Sequence, residues 1–403
     1  MNVITDNGNV GLRRGPGAAA RALSLSALLL AAQLPAPAVA GPNEQAKRIY
    51  ERIAGVPPSA ADLQTMVNDI TGQSGQAGLL AAASYATNAP TFYDVTLKNF
   101  SMPWTNRDAT VFSPLNDYVA TVIGMVRDNV PFNTALSADI LYVSNASGLP
   151  AASIANDNHY ATAEANGVDL MSTLVKTTQS GTYGIPTAAT AGLITTRGAA
   201  SAFFINGTNR AMFRFTMINQ FCNDMPALMD TTRPSDRIRQ DVARSPGGDS
   251  QIFLTNCVGC HSGMDPMVQA FAYYNFDATT GAMVYTPGMV QPKYLINATN
   301  FPYGYITPDD SWSNRWRTGP NAALGWGSGT GSGSGAKTLG QELASSQTFA
   351  QCQVQKVFQA VCFRVPQNAT DLATVASLTS NFTTDGYNLK TVFQQAAAAC
   401  PGS

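Results

Sequence analysis

The sequence predicts a mainly α-helical protein, and three observations carry this prediction. Apolar residues recur at helical spacing between positions 43 and 100. Residues that favour helix ends stand before and after these stretches. Three further helical segments follow one another at the C-terminal end, at 339–363, 371–382 and 389–399. We therefore expect a helical N-terminal region and a C-terminal three-helix bundle.

The first two helices are indicated by periodicity together with caps. One face of the first helix carries the apolar residues at positions i, i+3, i+4 and i+7, namely Ala46, Ile49, Tyr50 and Ile53. Gly55 is placed to end this helix. Ser59 and Asp62 resemble a capping box that opens the second helix. Ser113-Pro114 predicts the start of a third.

Composition divides the rest of the chain. We predict an N-terminal helical region at 41–143, a polar, loop-rich insertion at 144–200, a central domain at 201–324 and a C-terminal helical bundle at 337–403. The Gly/Ser-rich segment 325–336 is typical of a flexible linker. A length of 403 residues also predicts two or three domains.

Charge and composition exclude several classes of protein. Of the 403 residues, 45% are apolar and only 12% are charged, whereas an average globular domain has about 25% charged residues. Disordered tails and coiled coils both need many charges, so neither class fits. The formal net charge of −1 gives no electrostatic reason to expect nucleic acid or an anionic membrane as a partner.

The first forty residues have the pattern of an export signal. Arginines up to Arg21 precede the apolar run 23–34, and Ala38-Val39-Ala40 supplies small residues at a cleavage site before Gly41. The apolar run is too short for a stable membrane span; the alternative is a short anchor that is not cleaved. No later stretch predicts a membrane span. The mature chain is therefore expected to be soluble and periplasmic, or otherwise exported.

The motif with the most specific chemistry is Cys257-Val258-Gly259-Cys260-His261. C-x-x-C-H is the attachment signature of c-type haem. The two thiols add to the two vinyl groups of one haem, and the adjacent histidine turns its imidazole onto the iron. We therefore predict one covalent haem c, held by Cys257 and Cys260 with His261 as iron ligand, within the central domain.

The motif has two other interpretations, a redox pair of thiols and half of a zinc site. A thioredoxin-like redox pair would need a surrounding βαβ pattern, which the sequence lacks. A zinc site would need two more ligands at typical spacing, and His159 is the only other histidine. Both interpretations are weaker than haem attachment.

The sequence around the motif also resembles a known family. Met264-Asp265-Pro266, Asn275-Phe276-Asp277 and Gly281 follow the C-x-x-C-H segment. This order is similar to that of the exported single-haem cytochrome c proteins of planctomycetes and myxobacteria, and the resemblance covers most of residues 44–400. It implies a haem-bearing exported protein with a cytochrome c-like haem segment, and it implies no known reaction.

The sixth iron ligand decides what a haem can do, because a filled site suits electron transfer and an open site admits small molecules. Met289, in a Pro-containing loop 28 residues after His261, is the preferred ligand. Met283 and His159 are alternatives, as are Met225, Met229 and an open site. The simpler interpretation of His159 is an exposed loop histidine.

Four cysteines remain outside the motif, namely Cys222, Cys352, Cys362 and Cys400. An even number in an oxidising compartment predicts two disulfides, with three possible connectivities. Cys352 and Cys362 lie on one predicted helix, about 15 Å apart, which is beyond the reach of a disulfide. An up-down-up arrangement of the C-terminal helices would bring Cys400 towards Cys362 and leave Cys222 for Cys352.

Taken together, these observations predict an exported mono-haem c-type cytochrome that carries out one-electron transfer with a redox partner protein that the sequence does not identify. No catalytic residue is assigned; Asp265-Pro266 is interpreted as opening a turn. The alternative is a haem-assisted oxidoreductase, or accessory subunit, acting on a substrate bound by the N-terminal helical region. A third interpretation is a binding protein with a structural haem.

Overall fold

Helices make up most of the regular structure in the computed structural model, which describes residues 40–295 and 297–400. The mainly α-helical class is thus confirmed. The α-helices are α1 (Pro42–Ala54), α2 (Ala60–Gly72), α3 (Gln76–Ala86), α4 (Lys98–Ser101), α5 (Asp117–Arg127), α6 (Asn158–Ala165), α7 (Leu170–Thr173), α8 (Gln179–Tyr183), α9 (Arg197–Phe203), α10 (Arg210–Phe221), α11 (Ser250–Ile252), α12 (Val258–Val268), α13 (Gly335–Ala344), α14 (Gln347–Cys362), α15 (Ala369–Thr384) and α16 (Leu389–Ala399). The export signal predicted for residues 1–40 lies outside the described residues, apart from Ala40.

Short strands form three separate antiparallel pairs. The strands are β1 (Leu141–Ser144), β2 (Leu174–Thr177), β3 (Tyr274–Asp277), β4 (Ala282–Tyr285), β5 (Ser311–Ser313) and β6 (Ser332–Ser334). β1 pairs with β2, β3 with β4, and β5 with β6. Each strand is three or four residues long, too short to show a sustained alternation of apolar and polar residues. For this reason the sequence pattern does not predict these strands.

Local signals located the first two helices correctly. Gly55 ends α1 with a left-handed backbone (φ 73°), a conformation that glycine adopts at no steric cost. Ser59 and Asp62 form the predicted capping box at the start of α2, each accepting a hydrogen bond from the backbone of the other. These ends depend on contacts within four residues, which is why the sequence alone could place them.

Two helix boundaries differ from prediction. The helix predicted to start at Ser113 is α5, and it begins at Asp117, because the Asn116 side chain accepts a hydrogen bond from the Val119 N–H and so supplies the cap. The predicted helix 339–363 is two helices, α13 and α14. Ser346 interrupts it by accepting a hydrogen bond from the Phe349 N–H at the start of α14.

The N-terminal and C-terminal helices share one hydrophobic core. α16 packs against α3 and α1 as well as against α14 and α15. The ring of Phe92 lies 5.2 Å from that of Phe393, and the Lys390 ammonium donates to the Arg127 carbonyl. For this reason the described residues from Ala40 onward form one compact unit. No helix among them combines the length and apolar character needed to cross a bilayer.

The Gly/Ser-rich segment 325–336 lies inside this unit. It contains β6, which pairs with β5, and the first residues of α13. Its glycines make close contacts: a Cβ atom on Gly327 would lie 2.7 Å from the Ser345 hydroxyl, and one on Gly331 would lie 2.5 Å from the Arg317 side chain. In the structure the glycines allow close backbone approach between elements of the same unit.

Candidate functional site

The C-x-x-C-H motif lies on one continuous helical stretch. α11 leads into a wide π-helical turn (Phe253–Cys257), and α12 follows directly. Residues three and four positions apart on a helix are neighbours on its surface. The spacing of the motif therefore places Cys257, Cys260 and His261 on one face. A π-helical turn is rare and is frequent at functional sites.

The two motif thiols are free and half-buried, whereas the other four cysteines form disulfides. Cys257 packs against a small apolar cluster formed by Ile238, Phe253 and Val258. The Cys260 thiol donates a 3.5 Å hydrogen bond to the Met225 carbonyl. Burial raises the pKa of Cys260, and the neighbouring Cys257 acts in the same direction. Both thiols are thus held in place and unpaired.

His261 has one ring nitrogen bound and one uncommitted. Its Nδ1 lies 3.0 Å from Oδ1 of Asp265, one helical turn further on. Nε2 has no hydrogen-bond partner among the described residues, and the side chain is 20% exposed. A carboxylate accepts hydrogen bonds only, so Nδ1 is the donor in this pair. In the neutral ring this arrangement leaves the lone pair on Nε2, the form that an iron ligand needs.

Asp265 is fully buried and held by an arginine. Arg210, at the start of α10, donates from Nε to Oδ1 (2.7 Å) and from Nη2 to Oδ2 (2.8 Å). The same guanidinium donates to Asp241 at 2.5 and 3.0 Å. Burial by itself would raise the pKa of Asp265, but the charge of Arg210 and the hydrogen bonds from Arg210 and His261 bring it well below its usual range. The carboxyl is thus ionised.

Asp265-Pro266 is not a turn, contrary to the sequence analysis. Both residues lie inside α12. Asp-Pro favours turns, but here the helix continues because Asp265 is tied to α10 and the opposite face of α12 is tightly packed. The i+4 spacing from His261 was the available signal for its role. Arg210, the hydrogen-bond partner of Asp265, stands 55 residues earlier in the chain. No local sequence pattern indicates this contact.

The face of α12 opposite the motif packs closely on its neighbours through two glycines. A Cβ atom on Gly259 would lie 3.3 Å from the Asp230 amide nitrogen, and one on Gly263 would lie 1.9 Å from Nε1 of Trp316. Trp316 itself is fully buried. The orientation of the motif face is therefore fixed by close contact behind it.

We expect Gly263→Ala to destabilise the protein by about 3 kcal/mol, because the added methyl group must displace the buried indole of Trp316. Urea unfolding measures this change. Gly72→Ala is the matched control, since its Cβ at the end of α2 meets nothing within 4 Å. Equal stabilities of the two variants would contradict the close packing of α12.

A cavity of about 390 Å³ borders the start of this helical stretch, at Ser250, Phe253 and Leu254. Its other apolar lining comes from Ile238, Phe301 and Tyr303, and its charged lining is Arg244 and Asp236, of which Asp236 is paired with Arg315. The Arg244 guanidinium lies over the rings of Phe301 (4.3 Å) and Phe253 (4.9 Å). Ile238 and Phe253 also belong to the cluster against which Cys257 packs. An apolar cleft with an arginine thus lies beside the first motif cysteine.

Met289 is not brought to this site. Its side chain is 60% exposed, and its loop is held by hydrogen bonds from Thr286 to Tyr273 and from Gln291 to Ala272. These anchors follow the C-terminal end of α12, and the helix alone rises about 10 Å between His261 and that end. Met283 is buried in β4. Neither residue joins Cys257, Cys260 and His261 in the structure.

His159 is also committed elsewhere. The interpretation as an exposed loop histidine is wrong, since the residue is buried in α6. Its Nδ1 lies 2.7 Å from the Pro150 carbonyl, and its Nε2 accepts a 2.9 Å hydrogen bond from the Ser144 N–H. Both ring nitrogens are used to hold β1 and a neighbouring loop together, so neither is available for iron.

Of the methionines considered for the sixth position, Met225 and Met229 lie nearest the motif. The Met225 carbonyl accepts from Cys260, and the Met229 side chain packs over Gly259. Gly259 is on the side of α12 that faces away from His261. The contacts of these two residues with the motif are therefore with the Cys260 thiol and with Gly259.

The described residues contain no group of three or more His, Cys, Asp and Glu side chains that could hold a metal ion directly. A C-x-x-C-H site needs no such group, because the porphyrin surrounds the iron and the protein supplies axial ligands. No family model, curated protein or solved structure matches this chain. A function for this chain is therefore inferred from the residues of the site itself.

Proposed function

We propose that this chain is an exported mono-haem c-type cytochrome that transfers single electrons. Cys257 and Cys260 would hold the porphyrin, and His261 would bind the iron through Nε2. The observation that carries the proposal is the geometry of the motif: two free thiols and a histidine with an uncommitted Nε2 share one helical face. When bound, the haem supplies an iron that gains and loses one electron.

The state of the cysteines supports this assignment. Cys222 is bonded to Cys352 and Cys362 to Cys400, the pairing that the helix arrangement predicted. Disulfides form and persist in oxidising compartments, which is also where an exported cytochrome would work. Against that background the two motif thiols are distinguished by remaining unpaired.

The cleft beside Cys257 supports the proposal in a second way. Apolar side chains suit the porphyrin ring, and a guanidinium suits the carboxylates of its propionates. Arg244 is the arginine that lines this cleft. We assign no protein residue to the sixth iron position, because the exposed Met289 lies in a loop anchored to Tyr273 and Ala272, after the end of α12, and His159 uses both ring nitrogens.

The alternative function requires a substrate site in the N-terminal helical region. A cavity that lies there has a volume of about 200 Å³, and its charged lining is Asp94, Lys98 and Glu164. Lys98 is paired with Glu164, and Asp94 accepts a hydrogen bond from the Leu170 N–H. Because these charged groups are engaged within the protein, one-electron transfer at the C-x-x-C-H motif is the function that the described residues support better.

The proposal is tested by producing the chain together with haem-attachment machinery and recording its visible spectrum, oxidised and reduced. We expect a c-type spectrum and one haem per chain that acidified organic solvent does not extract. A chain that stays colourless, or that releases its haem on extraction, would refute the proposal. Carbon monoxide added to the reduced protein then shows the sixth position: a shifted spectrum means an open site, and an unchanged spectrum means a bound side chain.

A further inference from the structure

The His261–Asp265 pair extends into a buried cluster of charged groups. Behind Asp265 lie Arg210 and Asp241, and the backbone N–H of Arg239 also faces Oδ2 of Asp265, at 3.4 Å. The Arg239 guanidinium lies 4.0 Å from Asp241. The positive charges of two arginines thus balance the negative charges of two aspartates. Asp265 is the member of this cluster that contacts His261, the predicted iron ligand.

We propose that Asp265 is a positioning residue that fixes the tautomer and orientation of His261 and lowers the reduction potential of the haem. This inference rests on the proposed haem attachment. A carboxylate that accepts the Nδ1–H of a metal-bound histidine fixes the ring and raises the basicity of the ligand. A more basic ligand stabilises the oxidised iron more than the reduced iron, so the potential falls.

The role of Arg210 follows from the same geometry. Both oxygens of Asp265 accept from one guanidinium, which leaves the carboxylate no freedom to turn away from the ring. Asp241 holds the other side of that guanidinium. The order of contact is therefore His261, Asp265, Arg210, Asp241, and only Asp265 touches the imidazole.

The first test compares two variants of the haem-loaded protein. Asp265→Asn keeps the shape and an acceptor oxygen but removes the negative charge at the ring. We expect its reduction potential to rise by about 59 mV, which corresponds to a tenfold change in the equilibrium constant of a one-electron couple. Asp241→Asn is the matched control, since it removes a charge from the same arginine without touching His261. Its shift should be less than half as large.

The two variants separate the proposal from a general effect of charge. Equal shifts in both, or an unchanged potential in Asp265→Asn, would overturn the role of Asp265. Haem that is attached in the parent and in Asp241→Asn shows that the proposed attachment site holds, whatever the result for Asp265→Asn. Failure of all three proteins to attach haem would instead refute the proposed function.

The second test needs neither haem nor a variant. In the full chain produced without haem-attachment machinery, long-range ¹H–¹⁵N correlation spectra identify which ring nitrogen of His261 carries the proton. We expect the Nδ1–H tautomer, held by Asp265. Protonation at Nε2 alone would overturn the inference, because the nitrogen meant for iron would then be a donor.

Discussion

Replacing Cys257 and Cys260 together by alanine is expected to abolish covalent haem attachment while the protein still folds. The thioether bonds need both sulfur atoms, and no other free cysteine exists among the described residues. The fold should survive because both thiols are half-buried and take no part in a disulfide. Mass spectrometry of the denatured protein measures the loss, which should be complete.

The haem-free forms provide the control for this variant. Without haem, the parent chain and the double variant should differ in unfolding free energy by about 1 kcal/mol or less, the usual cost of changing two half-buried side chains. A double variant that still carries haem after denaturation would contradict the attachment site. A double variant that loses haem only because it is unfolded would be revealed by its circular dichroism.

The core of this site could be predicted because it is local. Cys260 and His261 stand three and four positions after Cys257, and an α-helix places such residues next to Cys257 on its surface. The chemistry of the residue types then indicates haem without knowledge of the rest of the fold. The same locality explains why the ends of α1 and α2 were predicted correctly.

The positions of the candidate sixth ligands depend on contacts between distant residues. Met289 stands at a suitable sequence distance from His261, but hydrogen bonds to Tyr273 and Ala272 hold its loop elsewhere. His159 lies in a polar stretch, and only its buried contacts with Ser144 and Pro150 show that it is structural. Such contacts leave no trace in the local pattern of the sequence.

The position of Asp265 depends partly on a local sequence signal and partly on contacts with distant residues. Its i+4 spacing from His261 is a local signal, but the following proline also indicates a turn. The structure decides between them because Arg210 holds Asp265 from α10 and Trp316 packs against Gly263 from the other side. Tertiary packing therefore overrides the turn signal. It keeps Asp265 inside α12, where its carboxylate is the hydrogen-bond partner of His261.

The disulfide between Cys222 and Cys352 is expected to contribute more to stability than the one between Cys362 and Cys400. The two bonds close loops of 130 and 38 residues. In the chain-entropy model these loops correspond to about 5 and about 4 kcal/mol. Replacing each pair by alanine and measuring urea unfolding of the two variants should reproduce this order. The reverse order would contradict the entropic argument.

The first disulfide should affect stability without affecting the haem. Cys222 ends α10, whose first residue is Arg210, so about 18 Å of helix separates the disulfide from the cluster at His261. Next to the disulfide, Gln220 and Gln353 form a buried hydrogen bond between α10 and α14 that persists without the sulfurs. The variant lacking Cys222 and Cys352 should therefore keep the reduction potential of the parent. A changed potential would mean that the disulfide holds Arg210 against Asp265 along the whole length of α10.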